Sequence, residues 1–174
     1  DGEVLTSTGS GVAWEAAAAG GGITAASQWR ITTATTTGNL TSNWEEADAP
    51  AGFGILGSSM TEASGIFTFP STGYWSVAFN ATVGTSNSDT GAPYVTGYIK
   101  TTTDDSTYAT AAYTTNFSRN FGPLNVYMDV IIDVTDVANV KVQFATATNG
   151  ASWTTAGDTD SQHTGATFTR LGDT

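Results

Sequence analysis

The side chains able to do bond-making chemistry are few in this chain. The single histidine, His163, stands close in sequence to Asp158 and Asp160. A Ser-His-Asp relay needs a nucleophile presented on a strained turn with its base held beside it, and no Gly-x-Ser-x-Gly elbow surrounds any serine. Zinc takes nitrogen or sulfur ligands, and there is no cysteine and only 1 histidine to supply them. Glycoside hydrolysis needs two carboxylates held about 5–10 Å apart. Glu45, Glu46, Glu62 and the loop aspartates are available, but their spacing selects no pair. Oxygen ligands suit calcium, and Asp158-x-Asp160 and Asp104-Asp105 are the best acidic pairs, although neither fits the EF-hand loop with its closing Glu.

Binding chemistry is better supplied. Asn87, Asp89, Arg119, Asn120, Phe121, Trp153 and His163 all fall in turn-rich, polar stretches. An exposed ring beside Asn, Asp and Arg suits carbohydrate, because the CH face of a sugar stacks on the ring while its hydroxyls need polar partners. Phe121 and Trp153 are the two rings that could serve, and the alternative is that each caps the sandwich core from above.

The elements that must position these residues are strands. From Gly73 onward, Trp75, Val77, Phe79, Ala81 and Val83 share one parity, and Tyr74, Ser76, Ala78, Asn80 and Thr82 the other. That period of two is the mark of a strand with one buried face. Pro70-Ser-Thr-Gly73 supplies the turn before it. The cleanest alternation places Val126, Met128, Val130, Ile132 and Val134 opposite Tyr127, Asp129, Ile131 and Asp133. Further strands are read at Gln28 to Thr37, Phe53 to Met60, Tyr94 to Thr103, Tyr108 to Ser118, Val140 to Phe144 and Ala166 to Leu171, with Gly38 to Ala51 as a loop. Short strands about every ten residues, with no helical period, predict an all-β antiparallel sandwich.

In such a sandwich consecutive strands alternate direction, so connections can be sorted by end. The turns at Pro70 to Gly73, Asp104 to Thr107 and Thr135 to Asn139 then share the base with the N-terminus. The longer segments, Thr85 to Pro93, Ser118 to Pro123 and Asn149 to Gly165, collect at the far end. Tyr98, Tyr113 and Tyr127 lie opposite the core-facing parity, either as ordinary amphipathic surface tyrosines or as parts of a subunit contact.

Composition narrows the partners. The chain has 174 residues, a net charge of −11 and only 5 basic residues. Phosphate-driven nucleic-acid binding would work against self-repulsion, and an acidic surface is poorly suited to anionic membranes. No run approaches the roughly 18 apolar residues of a membrane span. Residues 1–27, with Ala16 to Ala19 and Gly20 to Gly22, read as a stem or linker, and residues 28–174 as one head domain. The Asn-x-Ser/Thr sequons at Asn39, Asn80 and Asn116 are read as chance matches in a Thr-rich chain.

Gly65, Phe67, Pro70, Gly73, Tyr74, Trp75 and Phe79 together resemble the signature of the complement 1q globular-head family. The strand pair from Tyr127 to Phe144 and the closing Phe168-Thr-Arg-Leu-Gly172 extend the resemblance over roughly residues 28 to 172. It implies a jelly roll, and a compact homotrimer of the tumour necrosis factor type with Tyr98, Tyr113 and Tyr127 at its subunit contacts. Some members of that family bind calcium at the trimer apex, which favours Asp158 and Asp160 over Asp104. The phrase Leu5-Thr-Ser-Thr-Gly-Ser-Gly-Val-Ala-Trp14 ahead of the head further resembles fibre proteins of tailed bacteriophages. The expectation is a non-enzymatic fibre head on the virion surface, bound through its stem to other virion proteins and through its far-end loops to a host-surface glycan or protein. A capsid head fibre or decoration protein, and a glycan-degrading tail enzyme, are the alternatives.

Overall fold

The computed structural model describes residues 3–7, 11–16, 22–84, 94–117, 122–149 and 152–174. Among them every regular element is a strand: β1 (Glu3–Ser7), β2 (Val12–Ala16), β3 (Ala26–Ile31), β4 (Thr35–Thr36), β5 (Gly38–Asn39), β6 (Trp44–Glu46), β7 (Thr61–Ala63), β8 (Ile66–Thr68), β9 (Gly73–Gly84), β10 (Tyr94–Thr102), β11 (Ala109–Phe117), β12 (Leu124–Val134), β13 (Lys141–Thr148), β14 (Thr154–Thr155) and β15 (Gly165–Gly172). The stretch read as a plain stem contains a hairpin, with β1 and β2 pairing from Glu3↔Ala16 to Ser7↔Val12.

The remaining strands form two antiparallel sheets. One has the order β11-β10-β13-β8-β7, with β5 also on β13. The other runs β4-β14-β9-β15-β3-β6, and β12 takes the free side of β9. These non-sequential neighbours are what a jelly roll requires, since each hairpin partner belongs to a wound ribbon and not to a meander. β9 is the backbone of the second sheet. It pairs with β12 from Gly73↔Val134 to Val83↔Leu124 and with β15 from Tyr74↔Gly172 to Asn80↔Gly165.

Burial follows the alternation of β9 without exception: Trp75, Val77, Phe79, Ala81 and Val83 are buried, and the residues between them are not. β12 repeats this, with Leu124, Val126, Met128 and Val134 inward. An aromatic cluster joins the sheets. Phe67 of β8 meets Trp44 at 5.0 Å, Phe168 at 5.2 Å, and Trp29 and Phe144 at 5.5 Å. Phe79 stacks on Phe144 from the opposite sheet at 4.8 Å. Pairs in such edge-on and offset geometries are worth about 0.5–1.5 kcal/mol beyond area burial.

Three local expectations are corrected. The strand read from Gln28 to Thr37 is divided: β3 ends at Ile31, the Thr32 amide still donates to the carbonyl of Asn43 opposite it, and only Thr35–Thr36 return as β4. The Phe53 to Met60 segment forms no ladder and contributes only isolated bridges, Ala26↔Leu56 and Ala51↔Phe53. The 38–51 stretch is not outside the core. Leu40 is buried, and Trp44 packs on Phe67 and Phe144 while its Nε1 donates to the carbonyl of Leu40 at 2.7 Å.

Candidate functional site

The far end is held to the second sheet by backbone bonds. After β13 the chain re-enters the second sheet at β14, where Thr154 and Thr155 pair with Gly84 and Val83 at the end of β9. The Ala156 amide donates to the carbonyl of Thr82 at 2.8 Å, and that of Asp158 to the carbonyl of Ile31 at 2.9 Å. Beneath this crossing, the buried hydroxyls of Thr155 and Thr146 share a hydrogen bond of 2.7 Å between the sheets.

Asp158 then shapes the next turn. Its Oδ1 accepts the amides of Asp160 at 2.7 Å and Ser161 at 2.9 Å, and these two backbone bonds hold its carboxyl below the usual carboxylate range. That oxygen therefore serves the turn, and Asp160 is exposed. Among the described residues no group of three or more acidic or histidine side chains is gathered closely enough to hold a metal ion.

The imidazole of His163 is exposed, while its carbonyl accepts from Asn80 Nδ2 at 3.0 Å and Thr82 Oγ1 at 3.1 Å. It borders an open recess of about 440 Å³ lined by Thr82, Gly84, Pro123, Thr154 and Gly157 among others. Its lining mixes the hydroxyls of Thr82, Ser152 and Thr154 and the His163 side chain with apolar Ala34, Pro123 and Ala156. No carboxylate lines it, so a pair of acids across a scissile bond is missing there among the described residues.

Trp153 must be corrected as a stacking platform. Its side chain is 3% exposed and belongs to the core cluster, since burying so large an apolar surface outweighs presenting it on a polar loop. Asn87, Asp89, Arg119, Asn120 and Phe121 lie outside the described residues.

The tyrosines divide between two surfaces. Tyr98 and Tyr113 are register partners on β10 and β11, with rings 6.2 Å apart on the outer face of the first sheet. Tyr127 stands on the outer face of the second, 63% exposed. Two neighbours on that face, read in the sequence as outward but not singled out as contact residues, stand beside it: Tyr74 is 42% exposed and Ile131 66%. The signal was present, since both fall at the outward parity of their strands. Register places Tyr127 against Asn80, Ile131 against Ser76 and Asp133 against Tyr74, so the two exposed rings and the aliphatic chain alternate with polar side chains on one face of β12 and β9. Leu171, at the end of β15, adds a further exposed side chain.

Solved structures of similar shape place this architecture. The chain is similar to the Eiger TNF of S. frugiperda, with a TM-score of 0.60 and 11% identity over 86% of this chain and 93% of that one. It is similar to murine APRIL at pH 5.0, with a TM-score of 0.60 and 8% identity over 84% of this chain and 98% of that one. Murine APRIL at pH 8.5 gives a TM-score of 0.57 at 11% identity. At these identities the likeness shows the fold, a jelly roll of the tumour necrosis factor type. No protein-family model matches the sequence, and no curated protein does. Among the described residues no helix is long and apolar enough to cross a membrane.

Proposed function

We propose that this chain is a non-enzymatic binding head that acts as a homotrimer and presents its far-end loops to a host-surface glycan or protein, as the tip of a bacteriophage fibre. The carrying observation is that Tyr74, Tyr127 and Ile131 are exposed at 42%, 63% and 66% on one sheet face. A polar solvated sheet would carry hydrophilic residues at those positions, whereas a subunit contact is enriched in aromatic and aliphatic ones. The recess beside His163 lies at the end opposite the base, where the N-terminal strand β3 enters the sheet. A head tethered by that strand turns the recess outward. The fibre assignment is supported by the sequence from Leu5 to Trp14 ahead of the head.

Light scattering of the purified chain tests the assembly: a mass of three protomers is expected, falling to one in Ile131→Asp with the fold intact. Competition tests the role, as the added wild-type head should block adsorption of the virus to its host cells. A monomeric wild-type head, or one that leaves adsorption untouched, overturns the proposal.

A further inference from the structure

The N-terminal hairpin stands as a sheet of its own, since among the described residues β1 and β2 pair only with each other. Residues directly opposite in an antiparallel pair share a face. The register therefore sets Leu5↔Trp14 and Ser7↔Val12 in adjacent rows on one face, with Glu3↔Ala16 at its end, and puts Val4↔Glu15 and Thr6↔Ala13 on the other. Leu5, Val12 and Trp14 share a side. Leu5 is 56% exposed and Val12 69%.

A two-stranded hairpin is marginal in water by itself, and it needs further strands or a partner packed on its apolar face to persist. The head of the same chain does not supply that cover, because no described head strand joins β1 or β2 and Leu5 and Val12 stay exposed beside it. The cover must come from another chain. In the homotrimer proposed above, the nearest other chains are the two further copies of this one. The 9 residues between Ala16 and Ala26 reach at most about 30 Å. A tether that short keeps the hairpins of one trimer at roughly millimolar effective concentration, an advantage no untethered partner has.

We infer that the three hairpins of one trimer pack face to face, with Leu5, Val12 and Trp14 of each copy turned toward a common axis, and so form a second assembly contact ahead of the head. Burying that face removes apolar surface from water, while Thr6, Ala13 and Glu15 remain on the solvent side. Glu3 stands at the end of the packed face, so the like charges of three copies gather at a rim and not between the apolar rows. This inference rests on the homotrimer reading and adds to it a contact separate from the β9 and β12 face.

The chain has no cysteine, so one introduced thiol is a clean probe of the contact. Full-length Val12→Cys and Thr6→Cys are oxidised at low micromolar concentration and resolved on non-reducing gels, with the mass of each followed by light scattering. Val12→Cys should form disulfide-linked pairs about tenfold faster than Thr6→Cys, whose thiol lies on the opposite face. Adding Leu5→Asp to Val12→Cys should abolish that advantage, while the mass stays at three protomers because the β9 and β12 contact is untouched. Equal rates at the two positions in a trimeric protein overturn the inference and leave the hairpin face to a different virion protein. An advantage that survives Leu5→Asp overturns it as well. A monomeric wild type overturns the homotrimer reading itself, and the inference falls with it.

Discussion

Arg30 and Glu45 face each other across the β3–β6 pairing, and the guanidinium donates from both Nε, at 3.0 Å, and Nη2, at 2.6 Å, to the single oxygen Oε1 of Glu45. The arginine side chain is fully enclosed, with Asp48 Oδ1 at 2.5 Å and the Ala49 carbonyl completing its partners. A buried charge is tolerable only when it is paired, so this network ties the 45–49 segment to the sheet that carries the far end.

Its loss should be costly in an unequal way. Glu45→Ala leaves the enclosed guanidinium only Asp48 and the Ala49 carbonyl as partners and is expected to destabilise the fold by about 1.5–3 kcal/mol. Asp48, whose side chain is 79% exposed, should cost under about 1 kcal/mol when changed to Ala. Urea unfolding of the two variants gives the comparison, and equal effects would show that Glu45 is not the principal partner.

Gly73 begins β9 at a φ of 129°, and a Cβ there would stand 2.3 Å from the carbonyl oxygen of Gly172 and 2.9 Å from Arg170 Nε. The backbone oxygen cannot swing aside as a side chain would. Gly73→Ala should therefore cost about 1–3 kcal/mol or more, seen as a lowered Tm. Gly54, which has open space around its Cβ position, supplies the control and should change by no more than about 0.5 kcal/mol when made Ala.

Acid stability should depend on Asp104. Its Oδ1 accepts the amide of Thr107 at 2.7 Å, the hydroxyl of Thr102 at 2.7 Å and the amide of Ser106 at 3.0 Å. Those bonds, the Thr107 amide foremost, hold the carboxyl far below its unfolded value of 3.8. A carboxyl depressed in the folded state contributes stability above the unfolded pKa and loses it as pH falls toward the folded one. The wild-type urea midpoint should thus exceed that of Asp104→Ala at neutral pH, and the gap should narrow progressively below pH 3.8. A gap independent of pH would mean that the charge contributes nothing.

What the sequence revealed and what it hid follow from one distinction. Period two reports which side of a strand a residue occupies, so the buried set of β9 and the inward residues of β12 were legible from Trp75 to Val83 and from Val126 to Val134. It does not report which sheet a strand joins. Tyr98 and Tyr127 share an outward parity and yet lie on opposite surfaces, a fact fixed only by the wound order of the strands. Isolated apolar residues in polar surroundings were the other blind spot. Leu40 and Trp44 reach the core through Phe67 and Phe144, partners distant in sequence that no local window contains. The recess beside His163 was likewise invisible, because it arises where β14 crosses the end of β9.

Trp153 and Thr155 anchor that crossing, and their substitutions should separate packing from polar pairing. Trp153→Ala opens a cavity in the core cluster and is expected to cost about 3–5 kcal/mol. Thr155→Val removes one hydroxyl of the buried pair and leaves Thr146 Oγ1 without its 2.7 Å partner, a cost of about 1–3 kcal/mol. Adding Thr146→Val removes the orphan as well, so the double variant should recover most of that loss. Chemical denaturation of the wild type, both single variants and the double one closes the cycle. Simple additivity would show that the two hydroxyls do not depend on each other, and the far-end segment would then be held by its backbone bonds to Thr82 and Ile31 and by Trp153.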